Sequence, residues 1–192
     1  MTAIPAPDEI ARPFLLERFQ DHLSVEKGAS PRTAEAYLRD VARFATFCVT
    51  KGAATPATAS AKILREYVYH LKDLGLSPSS IRRNVSAVRS YFRFMLAEGE
   101  LVMDPSEKLE APKRWRTLPE VLTVDEAEKL IAAPSLDEPL AFRDRAMLEL
   151  AYGAGLRVSE WITISTRDVL MDEHLVRVFG KGSKERLVPI GR

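Results

Sequence analysis

Two similar strings mark the starts of the two longest helices that the sequence predicts. SPRT at residues 30–33 and SPSS at residues 77–80 each put a serine before a proline, an order typical of a helix N-cap followed by its first turn. Apolar side chains then recur every three or four positions until Gly52 and Gly99, where the two patterns end. Because each long amphipathic helix must bury one face, these patterns favour a helical bundle.

Two further helices complete the predicted bundle. Apolar side chains recur at a spacing of four from Leu15 to Leu23, and a second helical pattern runs from about Thr58 to Gly75. Four amphipathic helices with short connections predict a compact four-helix bundle over residues 8–99.

Residues 100–119 interrupt this periodicity with three prolines and mixed charges. Such a segment is typical of a linker, so we predict a second domain over residues 120–192. A long surface loop within a single domain is the alternative.

The second domain combines helices with strands, so the chain as a whole is predicted to be mainly α, with an α+β second part that carries a small antiparallel sheet. Its β-branched runs surround the turn GKGSKE and predict a hairpin. The expected elements are a helix capped by Thr123 and Glu126, a helix over about 141–152, a short helix from Arg157, a strand near Val169, and strands over 175–179 and 186–190.

The charges are balanced overall but unevenly placed. The chain has 28 basic and 27 acidic residues, a net charge of +1. Residues 81–97 nevertheless hold four arginines and no acid, and residues 176–192 hold five basic residues and one acid. Two local basic patches in a neutral chain indicate a polyanion that is bound at defined places.

One polar stripe runs along the fourth helix at spacings of four, three and four residues, through Arg82, Ser86, Arg89 and Arg93. At ~1.5 Å per residue the stripe spans roughly 17 Å, about five base pairs of DNA. A solvated helix face is the alternative. The residues expected to contact DNA are Arg32, Arg82, Ser86, Arg89, Arg93, Lys113, Arg114, Lys184 and Arg186.

Composition argues against several other classes of function. No stretch reaches the roughly 20 apolar residues of a membrane span, and the N-terminus lacks the features of a secretory signal. The single cysteine, Cys48, excludes an internal disulfide, fits a reducing cytosol and is predicted to be a core residue. No carboxylates with ligand spacing accompany the basic patches, so we do not expect a metal-dependent nuclease.

Two separate strings contain the candidate catalytic residues. LELAYGAGLRVSEW, at 148–161, places Arg157 after an apolar run, with Glu160 three residues later. A guanidinium stays charged and is costly beside an apolar surface unless an anion meets it. GKGSKER, at 180–186, places Lys181 in the hairpin turn. Taken singly, each string has an ordinary alternative: an ion pair within a helix, and a turn with surface lysines.

Together, the two strings resemble the tyrosine recombinases of the phage-integrase superfamily, and most closely the Xer recombinases, which resolve chromosome dimers. Arg157 and Lys181 agree with the family in motif, order and separation. SPRTAEAYLRDVARF and LSPSSIRRNVSAVRSYFRFM resemble its helical, SAM-like core-binding domain, and LPEVLTVDEAEKLI resembles the start of its catalytic domain. The strings GLRVSE and ERLVP favour a XerD-like over a XerC-like member.

The resemblance implies a reaction without metal or nucleotide. In the family, a tyrosine attacks a DNA phosphodiester, forms a 3′-phosphotyrosyl bond and releases a 5′-hydroxyl. The resemblance implies that Arg157 neutralises charge on the phosphate oxygens, that Lys181 gives a proton to the leaving oxygen, and that Glu160 holds Arg157. The full-length form is expected to be cytoplasmic and to act on double-stranded DNA as a tetramer, alone or with a paralogous recombinase.

The resemblance also implies catalytic motifs that follow the hairpin: His-x-x-Arg, a further His or Trp, and the tyrosine nucleophile. This chain ends at Arg192, and we reject HLVR at 174–177 as the motif, because it precedes Lys181 and strand positions three apart face opposite sides. We therefore expect the chain to lack the nucleophile and to bind DNA without cleaving it. A non-catalytic DNA-binding module, a truncated regulator of a recombinase, and a helical protein-interaction domain are the alternatives.

Overall fold

The computed structural model describes residues 11–112, 120–135, 137–180 and 185–190. The chain divides into two compact units, residues 1–116 and 117–192. The described residues contain seven α-helices and one three-stranded antiparallel sheet, which confirms the predicted fold class. The elements are α1 Leu16–Asp21, α2 Pro31–Thr50, α3 Ala61–Asp73, α4 Pro78–Ala97, α5 Val124–Ala132, α6 Ala141–Ala154, α7 Val158–Trp161, β1 Val169–Leu170, β2 Leu175–Phe179 and β3 Glu185–Pro189.

Serine N-caps begin the two long helices of the first unit, as predicted. The hydroxyls of Ser30 and Ser77 accept hydrogen bonds from the backbone N–H groups of Thr33 and Ser80, each at 3.3 Å. A proline lies in the first turn of both helices. These caps satisfy N–H groups that have no partner within the helix.

The third helix begins later than the sequence pattern indicated. Residues Pro56–Thr58 form a separate 3-10 turn, and Ser60 caps α3 by accepting from the N–H of Ile63 at 3.4 Å. Two cap signals lie close together here, at Thr55 and at Ser60. The apolar periodicity alone did not separate the short turn from the helix that follows it.

Aromatic side chains from all four helices meet in the core of the first unit. Phe44 of α2 packs edge-on against Tyr67 of α3 and Phe92 of α4, with ring centroids 5.2 and 5.7 Å apart. Phe19 of α1 packs in the same way on Tyr91 of α4, at 5.4 Å. All five rings are buried. Each such pair contributes about 0.5–1.5 kcal/mol beyond its buried area, so the cluster fixes the helices against one another.

The single cysteine belongs to this core. Cys48 is fully buried, as predicted. Burial raises the pKa of its thiol to about 12, and a protonated thiol is a poor nucleophile. Cys48 therefore contributes packing and no chemistry.

A buried polar network joins α2, α3 and α4. The carboxylate of Asp40 is fully buried and accepts hydrogen bonds from Arg83 Nε and Asn84 Nδ2, both at 2.8 Å. Arg43 Nη1 donates to the same carboxylate at 3.4 Å, and Tyr67 Oη donates to Asn84 at 2.7 Å. Because a buried charge needs close partners, the network allows few other arrangements of these helices.

In the second unit, the longest helix ends at Ala154, about two residues later than expected. Helix α6 continues through Gly153 to Ala154, and Gly155 follows in the left-handed region with φ 57°. Only Gly155 needs the conformational freedom of glycine, which explains why the earlier glycine did not end the helix.

The sheet has the order β1-β2-β3, and its strands alternate between two faces. Val176 and Val178 of β2 are buried on one face. In the antiparallel β2–β3 pair, Val178 lies directly opposite Arg186, and Val176 lies opposite Val188. Residues directly opposite each other share a face, so Arg186 lies on the same face as the buried valines. Strand β3 begins at Glu185, one residue earlier than predicted.

Candidate functional site

Arg157 and Glu160 form the centre of the candidate active site. Arg157 is the N-cap of α7, and its backbone N–H donates to Glu160 Oε2 at 2.9 Å. Its guanidinium donates from Nη1 to Glu160 Oε1 at 2.8 Å. The Glu160 side chain is 2% exposed, whereas that of Arg157 is 68% exposed. A buried carboxylate therefore anchors a guanidinium that faces solvent.

Arg186 joins this pair from strand β3. Its Nη1 donates to Glu160 Oε1 at 2.6 Å, and its Nη2 donates to Glu160 Oε2 at 2.8 Å. We expected Arg186 to contact DNA, but the structure directs its guanidinium to Glu160, since the register places the side chain on the buried face of the sheet. The strand alternation around Val176 and Val178 was the sequence signal for this orientation.

Glu160 and Arg186 shift each other's pKa values. Hydrogen bonds from Arg186, followed by the backbone N–H of Arg157, lower the pKa of Glu160 to about 2. The same contact raises the pKa of Arg186 above its ordinary value. Glu160 is thus ionised throughout the physiological range, and its charge is available to orient both arginines.

The two lysines of the hairpin, Lys181 and Lys184, lie outside the described residues. Their segment connects Phe179 at the end of β2 to Glu185 at the start of β3, and these two residues are paired in the sheet. The expected approach of Lys181 to Arg157 therefore stays a prediction.

The stripe on α4 is partly available to a ligand. Arg82, Ser86 and Arg93 are exposed, and neither arginine has an acidic partner within 4.0 Å among the described residues. Arg89 differs from them, because it is half-buried and its Nη2 donates to the carbonyl oxygen of Leu109. Arg89 therefore holds the segment after the bundle against α4, a role that the even spacing of the stripe did not indicate.

The other expected DNA contacts fall into two groups. Arg32 is exposed in the first turn of α2, close to the serine cap of that helix. Lys113 and Arg114 lie outside the described residues.

The tyrosines and histidines of the described residues occupy no catalytic arrangement. Tyr67 and Tyr91 are buried core residues, whereas Tyr69 and Tyr152 are exposed. His174 lies in the left-handed region just before β2. The remaining histidines, His22 and His70, lie against the rings of Phe94 and Phe47.

Two other kinds of feature are absent from the described residues. No group of three or more His, Cys, Asp or Glu side chains is arranged to hold a metal ion. Within the same parts of the chain, no helix combines the length and apolar character that a membrane crossing requires.

Two family models match the chain in consecutive regions. The model described as "Phage integrase, N-terminal SAM-like domain" matches residues 16–99. The model described as "Phage integrase family" matches residues 120–192. The first match covers the helical unit, and the second covers the unit that contains Arg157, Glu160 and Arg186.

Curated relatives agree with these matches. The chain is 42% identical over 190 residues to the tyrosine recombinase XerC of Xanthomonas campestris pv. campestris (strain B100), covering 99% of this chain and 59% of the relative. It is also 42% identical over 180 residues to the tyrosine recombinase XerD of Chlorobaculum tepidum, covering 92% of this chain and 59% of the relative. The chain thus spans about three fifths of the length of these relatives.

Solved structures share the fold at low sequence identity. A lambda integrase dimer bound to a COC′ core site matches with a TM-score of 0.69 and 21% identity, over 91% of this chain and 47% of that one. The Tn1549 transposon integrase in complex with circular intermediate DNA matches with a TM-score of 0.63 and 16% identity, over 92% of this chain and 61% of that one. With these matches of sequence and fold, the chain belongs to the phage integrase superfamily of tyrosine recombinases.

Proposed function

We propose that this chain is the DNA-binding and phosphate-activating part of a site-specific recombinase of the Xer type. The whole protein cuts and rejoins double-stranded DNA through a 3′-phosphotyrosyl intermediate, without a cofactor. We propose that the 192-residue chain binds the duplex but does not cleave it, because its five tyrosines all precede Lys181, whereas the family resemblance implies a nucleophile after the hairpin.

The guanidinium of Arg157 carries the proposal. It is 68% exposed yet held through its backbone and side chain on the buried carboxylate of Glu160. A planar cation that is fixed in position before its ligand arrives suits the non-bridging oxygens of a phosphodiester. Lys181 is proposed to protonate the leaving 5′-oxygen from the hairpin turn, as the general acid of the reaction.

The α4 stripe supports the binding half of the proposal. Arg82 and Arg93 are exposed on the face that also carries Ser86, and the eleven residue steps between them, at ~1.5 Å each, match about five base pairs. We propose that Arg32, Lys113, Arg114 and Lys184 add phosphate contacts, with Arg89 and Arg186 occupied mainly by Leu109 and Glu160. We also propose domain bounds of 8–99 for the DNA-binding bundle, 100–119 for a linker and 120–192 for part of the catalytic domain.

The cellular role follows from the relatives rather than from the site. A XerC and a XerD match the chain at equal identity, so we propose a cytoplasmic recombinase that resolves chromosome dimers and serves chromosome partition at cell division. The strings GLRVSE and ERLVP support a XerD-like member. A lambda integrase tetramer bound to a Holliday junction shares the fold, which supports a tetramer of the full-length protein, alone or with a paralogue.

Duplex binding is tested with two variants of equal charge change. Replacing Arg82 and Arg93 by alanine removes about two phosphate contacts, so the slope of log affinity against log salt should become shallower by about 2. The control replaces Arg65 and Lys72 of α3, which are also exposed, and should leave the slope nearly unchanged. Fluorescence anisotropy with a labelled duplex at several salt concentrations measures both. Equal losses in the two variants would contradict an interface on α4.

Cleavage distinguishes the proposal from a module that only binds DNA. Duplexes are first selected for binding from a random pool, and nicked versions that trap a covalent intermediate are then incubated with the 192-residue chain and with the longest natural form of the protein. We expect a covalent protein–DNA band with the longest form only. A band with the 192-residue chain would refute the claim that this chain lacks the nucleophile. If neither form gives a band, the non-catalytic module is favoured.

A further inference from the structure

All the acceptor positions of the Glu160 carboxylate are used, and they are divided evenly between two arginines. Oε1 accepts from Arg157 Nη1 at 2.8 Å and from Arg186 Nη1 at 2.6 Å. Oε2 accepts from the backbone N–H of Arg157 at 2.9 Å and from Arg186 Nη2 at 2.8 Å. A carboxylate has about four acceptor sites, so Glu160 has no site left for water or for another donor.

The two guanidiniums use this carboxylate differently. Arg186 binds it with both Nη atoms, in the two-pronged geometry of the strongest arginine–carboxylate pairs. Arg157 uses only Nη1, so the other donors of its guanidinium make no hydrogen bond to the described residues. The Arg157 side chain is also the more exposed, at 68% against 38% for Arg186.

The number of arginines on Glu160 determines the net charge that a phosphate would meet. One buried negative charge with one arginine forms a neutral pair, and a neutral pair attracts a phosphate weakly. With two arginines the cluster keeps a net positive charge, and the arginine with unused donors carries it to the surface. If Arg186 were absent, Glu160 would be free to take both prongs of Arg157 and neutralise it.

We propose that Arg186 is a positioning residue that neutralises Glu160 and thereby keeps the charge and the unused donors of Arg157 available to the scissile phosphate. The proposal deepens the proposed function and rests on it. Arg186 lies on β3, directly after the hairpin turn that contains Lys181. The same ion pair therefore connects the strand after the lysine-bearing turn to the helix that carries the arginine.

Side-chain NMR of the 192-residue chain tests, without DNA, whether Arg186 neutralises Glu160 and leaves Arg157 available. In Arg186→Met, the carboxyl pKa of Glu160 should rise from about 2 toward the ordinary value of about 4.3. The guanidinium signals of Arg157 should shift as it takes the second oxygen. Arg186→Lys keeps the charge without the planar fork, so it should give intermediate values. Unchanged Arg157 signals in both variants would overturn the proposal.

A matched control separates this role from a general effect on the sheet. Arg177 of β2 is partly exposed and pairs with Glu185, with Arg177 Nε 3.1 Å from Glu185 Oε1. Arg177→Met removes an arginine and an ion pair from the same sheet, and it should leave the Glu160 titration and the Arg157 signals unchanged. If Arg186→Met fails to fold by its backbone amide spectrum, Arg186→Lys alone decides the test.

Cleavage by the longest natural form supplies a second readout. Arg186→Met should slow single-turnover cleavage by about 10–100-fold, the effect of a misplaced catalytic group. A neutral methylphosphonate at the scissile position has no charge for Arg157 to neutralise, so on that substrate the loss should largely disappear. An equal loss on both substrates would overturn the proposal. Failure of the unsubstituted protein to cleave either substrate refutes the proposed function instead, and the NMR result still decides how Arg186 acts on Arg157.

Discussion

Replacing Asp40 by asparagine should destabilise the helical unit more than its small change in volume indicates. The carboxylate is fully buried and accepts from Arg83 Nε and Asn84 Nδ2 at 2.8 Å each. Asparagine has the same shape but presents an NH₂ group in place of one oxygen. That group meets either the partly exposed Arg83 donor or the buried Asn84 donor, so one of the two must lose its acceptor.

The magnitude follows from which partners can return to water. A buried donor that loses its acceptor costs about 1–3 kcal/mol, and the remaining bond from Arg83 loses its charge–charge attraction when the acceptor is no longer ionised. The full ~3–5 kcal/mol for breaking a buried ion pair does not apply, because the side chains of Arg83 and Arg43 are 46% and 36% exposed. We therefore expect a loss of about 2–3 kcal/mol in the free energy of unfolding.

Urea unfolding of the 192-residue chain, followed by far-UV circular dichroism, measures this loss. With a slope of ~1–3 kcal/mol per M for a domain of this size, the midpoint of the helical transition should fall by about 0.7–3 M. The matched control is Glu35→Gln on the same helix, whose exposed pair with Arg39 contributes less than about 0.5 kcal/mol. If Asp40→Asn shifts the midpoint no more than Glu35→Gln does, the network does not stabilise the fold as argued.

Two further predictions concern a carboxylate and a helix cap. The folded-state pKa of Glu160 is lowered to about 2, so its contribution to stability is present above the unfolded value of about 4.3 and is lost as pH falls toward 2. The free energy of unfolding should therefore change less between about pH 5 and pH 2 in Glu160→Gln than in the wild type. Parallel curves for the two proteins would contradict the lowered pKa of Glu160. Ser77→Ala removes the acceptor for the N–H of Ser80 and should lower the free energy of unfolding by about 1 kcal/mol. Ser86→Ala, in the exposed middle of the same helix, is its control and should be near neutral in urea unfolding.

The helices of the first unit were predictable because their signals are local. Ser30 and Ser77 are caps in the sequence and in the structure, and the apolar positions between the caps and the closing glycines form the core. Each of these features depends on residues within a few turns of one another. The predicted start of α3 near Thr58 was about three residues too early, because a separate 3-10 turn, Pro56–Thr58, precedes the helix and apolar spacing does not separate the two.

The buried network was not predictable in the same way. Asp40 is charged, and hydropathy alone assigns a charged residue to the surface. Its main partners, Arg83 and Asn84, lie more than 40 positions away on another helix. In the sequence Arg83 belongs to the basic patch of α4, but it lies about 100° around the helix from Arg82 and faces Asp40. Only the packing of α2 on α4 separates an arginine of the network from an arginine of the stripe.

In the candidate active site, three charged side chains have different roles that depend on residue type and position. Arg157 and Glu160 were identified from the resemblance of their motif to the family, because their spacing of three alone permits an ordinary ion pair within a helix. The strand register adds Arg186 from the other side, and one negative charge then faces two positive ones. Since Arg186 satisfies both carboxylate oxygens, the unsatisfied donors must belong to Arg157. Because Arg186 pairs with the acid, the cluster keeps a net positive charge, and a further anion would meet that charge at Arg157.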